Sequence, residues 1–355
     1  MSLIKHILIN NTVADKPYTL QILSRLKHVP IVFFDEPNFQ SLKNTYDYEH
    51  TLLLTNLKGE LLKDCPGTQC YSCCGYKILN IGANCLYKCT YCILQDYFKT
   101  KMQIVYADLE EYIPSVLEQL RNNSNSLFRI GTGEFTDSLI LDDITHLSTL
   151  LIDLFRPFQT VFLELKTKTL CIDNLLSIKA SDNAVIAWSL NTPRMIKDIE
   201  KGTPSLEKRL AAAKKVVDHG YHVAFHFDPI ILYPNCLSEY ENVIDMLFAT
   251  IPADKIKWIS MGTLRFTKGL KNNFYQRSPL FIDEFIQCND NKFRYLRHRR
   301  VEAYACILSK IREYAPLVYT YLCMESPAVW TEVFGYKHND NVIFENDFNA
   351  QVFKR

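Results

Sequence analysis

Six short apolar runs, separated by stretches with helical spacing, constrain this chain more than any other feature. They lie at 77–81, 127–130, 161–165, 185–190, 223–227 and 256–260. The intervals between them are long enough for crossover helices. In residues 206–219, Leu210, Ala213 and Val217 recur at helical spacing, Ser205 stands at the N-cap position and Gly220 follows the end. Strands alternating with helices give an α/β chain with a parallel sheet, here a partial barrel of six βα units. In such barrels chemistry collects at the carboxyl ends of the strands. At 355 residues, with 48% hydrophobic and 22% charged residues, the chain has enough material for one large barrel or two ordinary domains. We divide it into a small α/β element over 1–60, a barrel over 61–262 and a C-terminal region over 263–355. The first part is expected to hold strands at 6–9 and 31–34 with a helix over 20–26. No repeat or low-complexity tract interrupts the pattern.

Charge is unevenly placed. The formal net charge is +1, yet residues 255–300 carry eleven Lys and Arg against Asp283, Glu284 and Asp290. Phe266, Phe274, Tyr275, Phe293 and Tyr295 lie among these cations. Cations that track phosphates, beside aromatic faces that stack on bases, are the footprint of a nucleic-acid surface. The ordinary reading of such a run is a solvated charged face. As DNA contacts we single out Arg265, Lys268, Lys271, Arg297, Arg299 and Arg300. No segment is apolar and long enough to span a membrane, and the amino-terminal apolar run is too short for a secretory signal. A reducing cytoplasm, where thiols stay free to bind metal, is the expected compartment.

Three of the twelve cysteines, Cys85, Cys89 and Cys92, have the spacing C-x3-C-x2-C. Three thiolates can hold three irons of a [4Fe-4S] cluster and leave the fourth iron for another ligand. The bland alternative is three packed thiols, and a structural zinc site would want four ligands. The spacing resembles the signature of radical S-adenosylmethionine (AdoMet) enzymes, whose aromatic residue before the last cysteine corresponds to Tyr91. Further on, Gly131-Thr132-Gly133-Glu134-Phe135-Thr136-Asp137 follows the second strand. It resembles the segment by which many radical-AdoMet enzymes hold the methionine amino group, although an ordinary βα turn would read the same way. Lys166, Lys168, Ser189 and Asn191 stand at the next two strand ends. His226 and Asp228 share one face of the fifth strand, opposite Phe225 and Phe227.

The chain resembles the spore photoproduct lyase family of radical-AdoMet enzymes, and looks like a divergent branch of it. The resemblance is carried by Cys65-Pro66-Gly67-Thr68, Cys73-Cys74-Gly75-Tyr76-Lys77, residues 85–94, Arg265-Phe266-Thr267 and Met324-Glu325-Ser326-Pro327-Ala328-Val329-Trp330. It implies a partial triosephosphate-isomerase-type (β/α)6 barrel and a cluster held by Cys85, Cys89 and Cys92. It also implies AdoMet contacts from Gly131, Gly133, Glu134, Thr136, Asp137, Lys168 and Ser189. The implied reaction is repair of a methylene-bridged thymine dimer in DNA. A reduced cluster cleaves AdoMet, the resulting 5′-deoxyadenosyl radical takes a hydrogen atom from the lesion, and a thiol returns one after the bridge breaks. A flavodoxin- or ferredoxin-type donor and a monomeric enzyme complete the expectation.

One departure stands out. Where the family has its hydrogen-donating cysteine, this chain has Glu134, and no cysteine lies between Cys92 and Cys171. Cys74 or Cys73 is the expected substitute, with Cys74 and Tyr91 as the catalytic candidates; both cysteines have a packing role as the alternative. Three other readings remain open on sequence alone. These are a radical-AdoMet reaction on RNA, a modified base or a small molecule; a non-catalytic DNA-binding iron–sulfur protein; and a zinc protein using Cys65, Cys70, Cys73 and Cys74.

Overall fold

Runs of Val, Ile, Leu and Phe bounded by polar turns form strands because branched side chains pack well on a pleated, buried surface. The computed structural model describes residues 4–65, 67, 71–274, 278, 280, 283–337 and 341–353. It begins with β1 (His6–Asn10), β2 (Ile31–Phe34) and β3 (Thr51–Thr55). The helix between the first two spans Pro17–Arg25. It starts before the expected position because Pro17 occupies the first turn, where a missing N–H leaves no hydrogen bond unmade. Next come β4 (Leu62–Asp64), β5 (Lys77–Leu79), β6 (Gly82–Ala83), β7 (Lys88–Cys89) and β8 (Gln103–Tyr106).

A small sheet has the order β2-β1-β3-β8-β6. It therefore recruits two strands from beyond residue 60. Gly82 lets β6 lie against β8, since a Cβ there would stand 2.2 Å from the carbonyl oxygen of Ile104. The cysteine segment thus leaves directly from a strand of the amino-terminal sheet.

The remaining strands are β9 (Phe128–Gly131), β10 (Val161–Thr167), β11 (Ala184–Ser189), β12 (Glu200–Lys201), β13 (His222–Ile230) and β14 (Ile256–Thr263). They are followed by β15 (Arg265–Phe266), β16 (Phe285–Gln287), β17 (Phe293–Tyr295) and β18 (Tyr319–Leu322). The main sheet has the order β18-β14-β13-β11-β10-β9-β5-β4. All six expected barrel strands are in it, paired in parallel. β4 adds an antiparallel edge to β5.

A seventh parallel strand, β18, joins β14. The expected count of six misses it because three of the four residues in Tyr319-Thr320-Tyr321-Leu322 carry hydroxyls, yet all four are buried. The region after residue 262 therefore contributes to the barrel itself. It also forms a three-stranded antiparallel sheet, β15-β17-β16. Helix Leu206–Asp218 buries Leu210, Ala213 and Val217, as its spacing requires. Trp188 and Trp258 are fully buried in the core. Among the described residues no helix is long and apolar enough to cross a membrane.

Candidate active site

Asn84 launches the cysteine loop. Its backbone is left-handed, with φ 72°, a conformation that asparagine tolerates better than most residues. Its N–H donates to Phe135 O at 2.9 Å, and its side-chain amide donates to Thr100 O and Met102 O. The loop is pinned again at β7, which pairs antiparallel with β12 so that Cys89 faces Glu200. Thr90 N–H donates to Ile199 O at 3.0 Å, and the Gln95 amide donates to Cys89 O at 2.6 Å. Cys85, Cys89 and Cys92 all open onto one cavity of about 570 Å³.

Burial pushes each of these three thiols up, and Lys168 opposes that rise at Cys89 and Cys92. Among the described residues no three His, Cys, Asp or Glu side chains converge to hold a single ion. That donor set still suits a four-iron cluster, which takes one thiolate per iron and is bound by cysteine. Soft donors without a nearby fourth ligand do not suit a closed zinc site. Cys70 of the zinc alternative lies outside the described residues.

The carboxyl ends of the strands face the same cavity. Gly133, Glu134, Thr136 and Asp137 follow β9; Lys166 lies near the end of β10 and Lys168 follows that strand; Ser189 ends β11; His226 and Asp228 come from β13. Phe225 and Phe227 are fully buried on the opposite face of β13. Gly131 needs correction: it does not line the cavity. A Cβ there would sit 1.7 Å from the Tyr76 hydroxyl, so this glycine makes room for Tyr76. Asp137 is also less free than expected. Its carboxylate accepts from the Leu139, Ile140 and Lys168 amides and the Thr167 hydroxyl, which ties the β9 turn to the end of β10.

Around His226 lies a polar network whose other members, Arg129, Glu164, Ser260 and Tyr321, no motif marks. Arg129 Nε donates to Glu164 Oε2 at 3.1 Å, and Arg129 Nη2 donates to the Tyr321 hydroxyl at 2.7 Å. Glu164 Oε1 meets His226 Nε2 at 2.6 Å, and His226 Nδ1 meets Ser260 Oγ at 2.5 Å. Burial first, and Lys166 next, hold the His226 pKa down to about 4. Burial alone would raise Glu164, but Arg129 and His226 outweigh it and bring that carboxyl to about 2. His226 is therefore neutral at pH 7, donating to Glu164 and accepting from Ser260. The signal was present in the sequence: Arg129 and Glu164 are charged residues inside otherwise apolar strand runs, where an ion survives only with a partner.

A family model for spore photoproduct lyase matches residues 69–304. The chain belongs to the spore photoproduct lyase family. Spore photoproduct lyase from Bacillus subtilis (strain 168) is 29% identical over 209 residues, covering 57% of this chain and 61% of that protein. The Clostridium acetobutylicum protein of the same name is 25% identical over 202 residues, covering 57% and 60%. The chain thus aligns with about three-fifths of each relative's length. A solved cysteine-to-alanine variant of spore photoproduct lyase with dinucleoside spore photoproduct superposes with a TM-score of 0.79 at 19% identity. That match covers 90% of this chain and 99% of the other. A double variant with bound AdoMet and dinucleoside spore photoproduct gives 0.76, also at 19% identity. The shared architecture is the family's partial barrel.

Against that fold the basic island divides in two. Lys268 is exposed, and Arg297 is exposed with a pair to Glu332. Arg299 pairs with Asp283, and the Lys271 ammonium lies over the Phe293 ring. Arg300 is corrected: it is 4% exposed, paired to Glu325 and bound to Tyr295 O, which leaves it unavailable to a phosphate. Arg265 makes a bidentate pair with Asp228, 3.0 Å at each oxygen, and faces the cavity instead of the outer surface. The aromatics are corrected in part. Phe266, Phe285, Phe293 and Tyr295 pack on one another and hold the small sheet together. Tyr275 and the Phe274 side chain lie outside the described residues.

Proposed function

We propose that the protein is a radical-AdoMet lyase that reverts the spore photoproduct in DNA to two thymines. The observation that carries this reading is the meeting of Cys85, Cys89 and Cys92 with Asp137, Lys168 and Ser189 at one cavity in the family barrel. A cluster held by the three thiolates, together with AdoMet, supplies a carbon-centred radical for hydrogen abstraction. The chain's own residues supply the rest. Lys168 offers an ammonium to the methionine carboxylate, and Glu134, exposed at the rim, offers a carboxylate to the amino group. The buried walls keep water from the reacting atoms. A lesion must leave the duplex to reach this cavity, and Lys268, Lys271, Arg297 and Arg299 are the cations proposed to hold the flanking phosphates. A flavodoxin- or ferredoxin-type protein is the proposed electron source, the enzyme acting as a monomer in a reducing compartment.

Hydrogen return is assigned to Cys74. Burial pushes its thiol up and keeps it as S–H, the form that can give a hydrogen atom. Its sulfur lies 3.6 Å from Arg129 Nη1, and the side chain lines the cavity with Cys73 and Cys323. Glu134 at the family's cysteine position favours a second reading, a radical-AdoMet reaction on another nucleic-acid substrate.

The test is anaerobic cluster reconstitution followed by dithionite and AdoMet, with chromatography for 5′-deoxyadenosine in the presence and absence of DNA carrying the lesion. Restored thymines with 5′-deoxyadenosine establish the lyase. The nucleoside without repair moves the protein to the second reading, and its absence from a loaded enzyme rejects both.

A further inference from the structure

The residue pair Glu200 and Arg209 lies outside every motif that marks the cluster loop, yet Glu200 bonds Tyr91 of that loop and Arg209 is linked to it through Glu200. Glu200 is 1% exposed and Arg209 is fully buried. Arg209 Nη2 donates to Glu200 Oε2 at 2.5 Å and to Thr203 Oγ1 at 2.6 Å, while its Nε donates to Pro204 O at 3.0 Å. The other arm of the guanidinium, Nη1, donates to Ser189 O at 2.9 Å. The second carboxylate oxygen of Glu200 accepts from the Tyr91 hydroxyl and from Asn191 Nδ2. One buried ion pair therefore holds Tyr91, between Cys89 and Cys92, on one side and the end of β11, at Ser189, on the other.

The backbone repeats the link. Glu200 and Lys201 pair with Cys89 and Lys88, and Thr90 N–H donates to Ile199 O. The Lys168 ammonium sits 5.9 Å from the centre of the Tyr91 ring. A carboxylate so close to Cys89, balanced by a guanidinium within hydrogen-bond range, sets the local field in a region from which water is excluded. Buried pairs of this kind are costly to make and hold only with excellent geometry and every remaining donor satisfied. Four of the five Arg209 N–H groups have named acceptors.

We infer that Glu200 and Arg209 are positioning residues: they fix the cysteine loop relative to the β11 end and tune the reduction potential of the cluster that the loop holds. The inference rests on the proposed cluster at Cys85, Cys89 and Cys92. Neither residue touches substrate. Glu200 acts through Tyr91 and through its charge beside Cys89; Arg209 acts through Glu200 and Ser189. Charge near an iron–sulfur centre is one of the levers that sets its potential.

The experiment is potentiometric titration of the reconstituted protein, followed by electron paramagnetic resonance, with AdoMet affinity measured on the same samples. Glu200→Gln removes a negative charge and is expected to shift the midpoint positive. Arg209→Gln leaves the carboxylate unopposed and is expected to shift it negative. Arg209→Lys restores the charge without the fork and is expected to bring the midpoint back towards wild type. Tyr91→Phe keeps the Glu200–Arg209 ion pair and is expected to fold where the charge variants do not. It is expected to loosen the cysteine loop against the end of β11, because Glu200 loses the Tyr91 hydroxyl, and so to weaken AdoMet binding. Unchanged midpoints, shifts of one sign for both charge variants, or unchanged AdoMet affinity in Tyr91→Phe with a loaded wild type overturn the positioning role alone. A wild-type protein that takes up no four-iron cluster overturns the proposed function, and the inference falls with it.

Discussion

Arg129 and Glu164 form an ion pair inside the barrel, Nε to Oε2 at 3.1 Å, with side chains 5% and 1% exposed. The guanidinium is boxed by the rings of Tyr76, Trp258, Tyr321 and Phe348 at 4.7 to 5.3 Å. Removing either partner strands a charge in a dry interior. Glu164→Gln is expected to destabilise the fold by about 3–5 kcal/mol, read as the shift in a urea unfolding midpoint. A loss under 1 kcal/mol would mean that water reaches the pair.

His226 and Glu164 bend stability against acid in the same direction. The folded His226 pKa, about 4, lies below its ordinary 6.5. Between those values the unfolded chain takes up a proton that the folded protein does not. Stability therefore falls as pH drops through that window, by up to about 1.4 kcal/mol per pH unit for the one proton. Glu164 at about 2 extends the loss below 4.5. Unfolding curves from pH 7 to pH 4 should show the decline, and His226→Gln should flatten its upper part.

Single replacement of Cys85, Cys89 or Cys92 by Ala is expected to abolish stable cluster uptake. Iron and sulfide assays after anaerobic reconstitution measure this, with circular dichroism confirming the fold. Undiminished iron in all three variants would place the metal elsewhere.

Cys74→Ala should leave 5′-deoxyadenosine formation intact and divert the thymine radical to other products, seen by chromatography of the repaired DNA. An unchanged product distribution would remove Cys74 from the mechanism. Cys323, which also lines the cavity and accepts from Arg265 Nη2 at 3.7 Å, would then be next to test.

Exposed and buried cations of the basic island should behave differently. Neutralising Lys268 or Arg297 is expected to weaken DNA binding across sequences and to lower the salt slope by about 1 for each phosphate left unneutralised. Arg300→Ala should instead lower the unfolding midpoint, because it leaves Glu325 buried without its partner. Equal salt slopes for wild type and the Lys268 and Arg297 variants would rule out this face as the DNA surface.

The sequence by itself determined the barrel and the spacing of the cysteine loop. Apolar runs at strand length, alternating with helical spacing, allow few other arrangements, and three cysteines within eight residues fall on one short segment of chain. His226 and Asp228 were legible for the same local reason, since period-two alternation fixes which residues share a face. Tertiary structure decided the rest. β18 is a barrel strand only because β14 lies beside it, and its hydroxyl-bearing sequence gives no apolar run. Gly131 looked like part of a cofactor turn until Tyr76 packed onto it. Arg265 and Arg300 belonged to a run of positive charge, and long-range carboxylates, Asp228 and Glu325, turned them inward. Glu200 reaches Tyr91 across 109 positions. Local patterns are set by backbone geometry and can be read along the chain, whereas the partner of a buried charge is set by whichever distant segment folds against it.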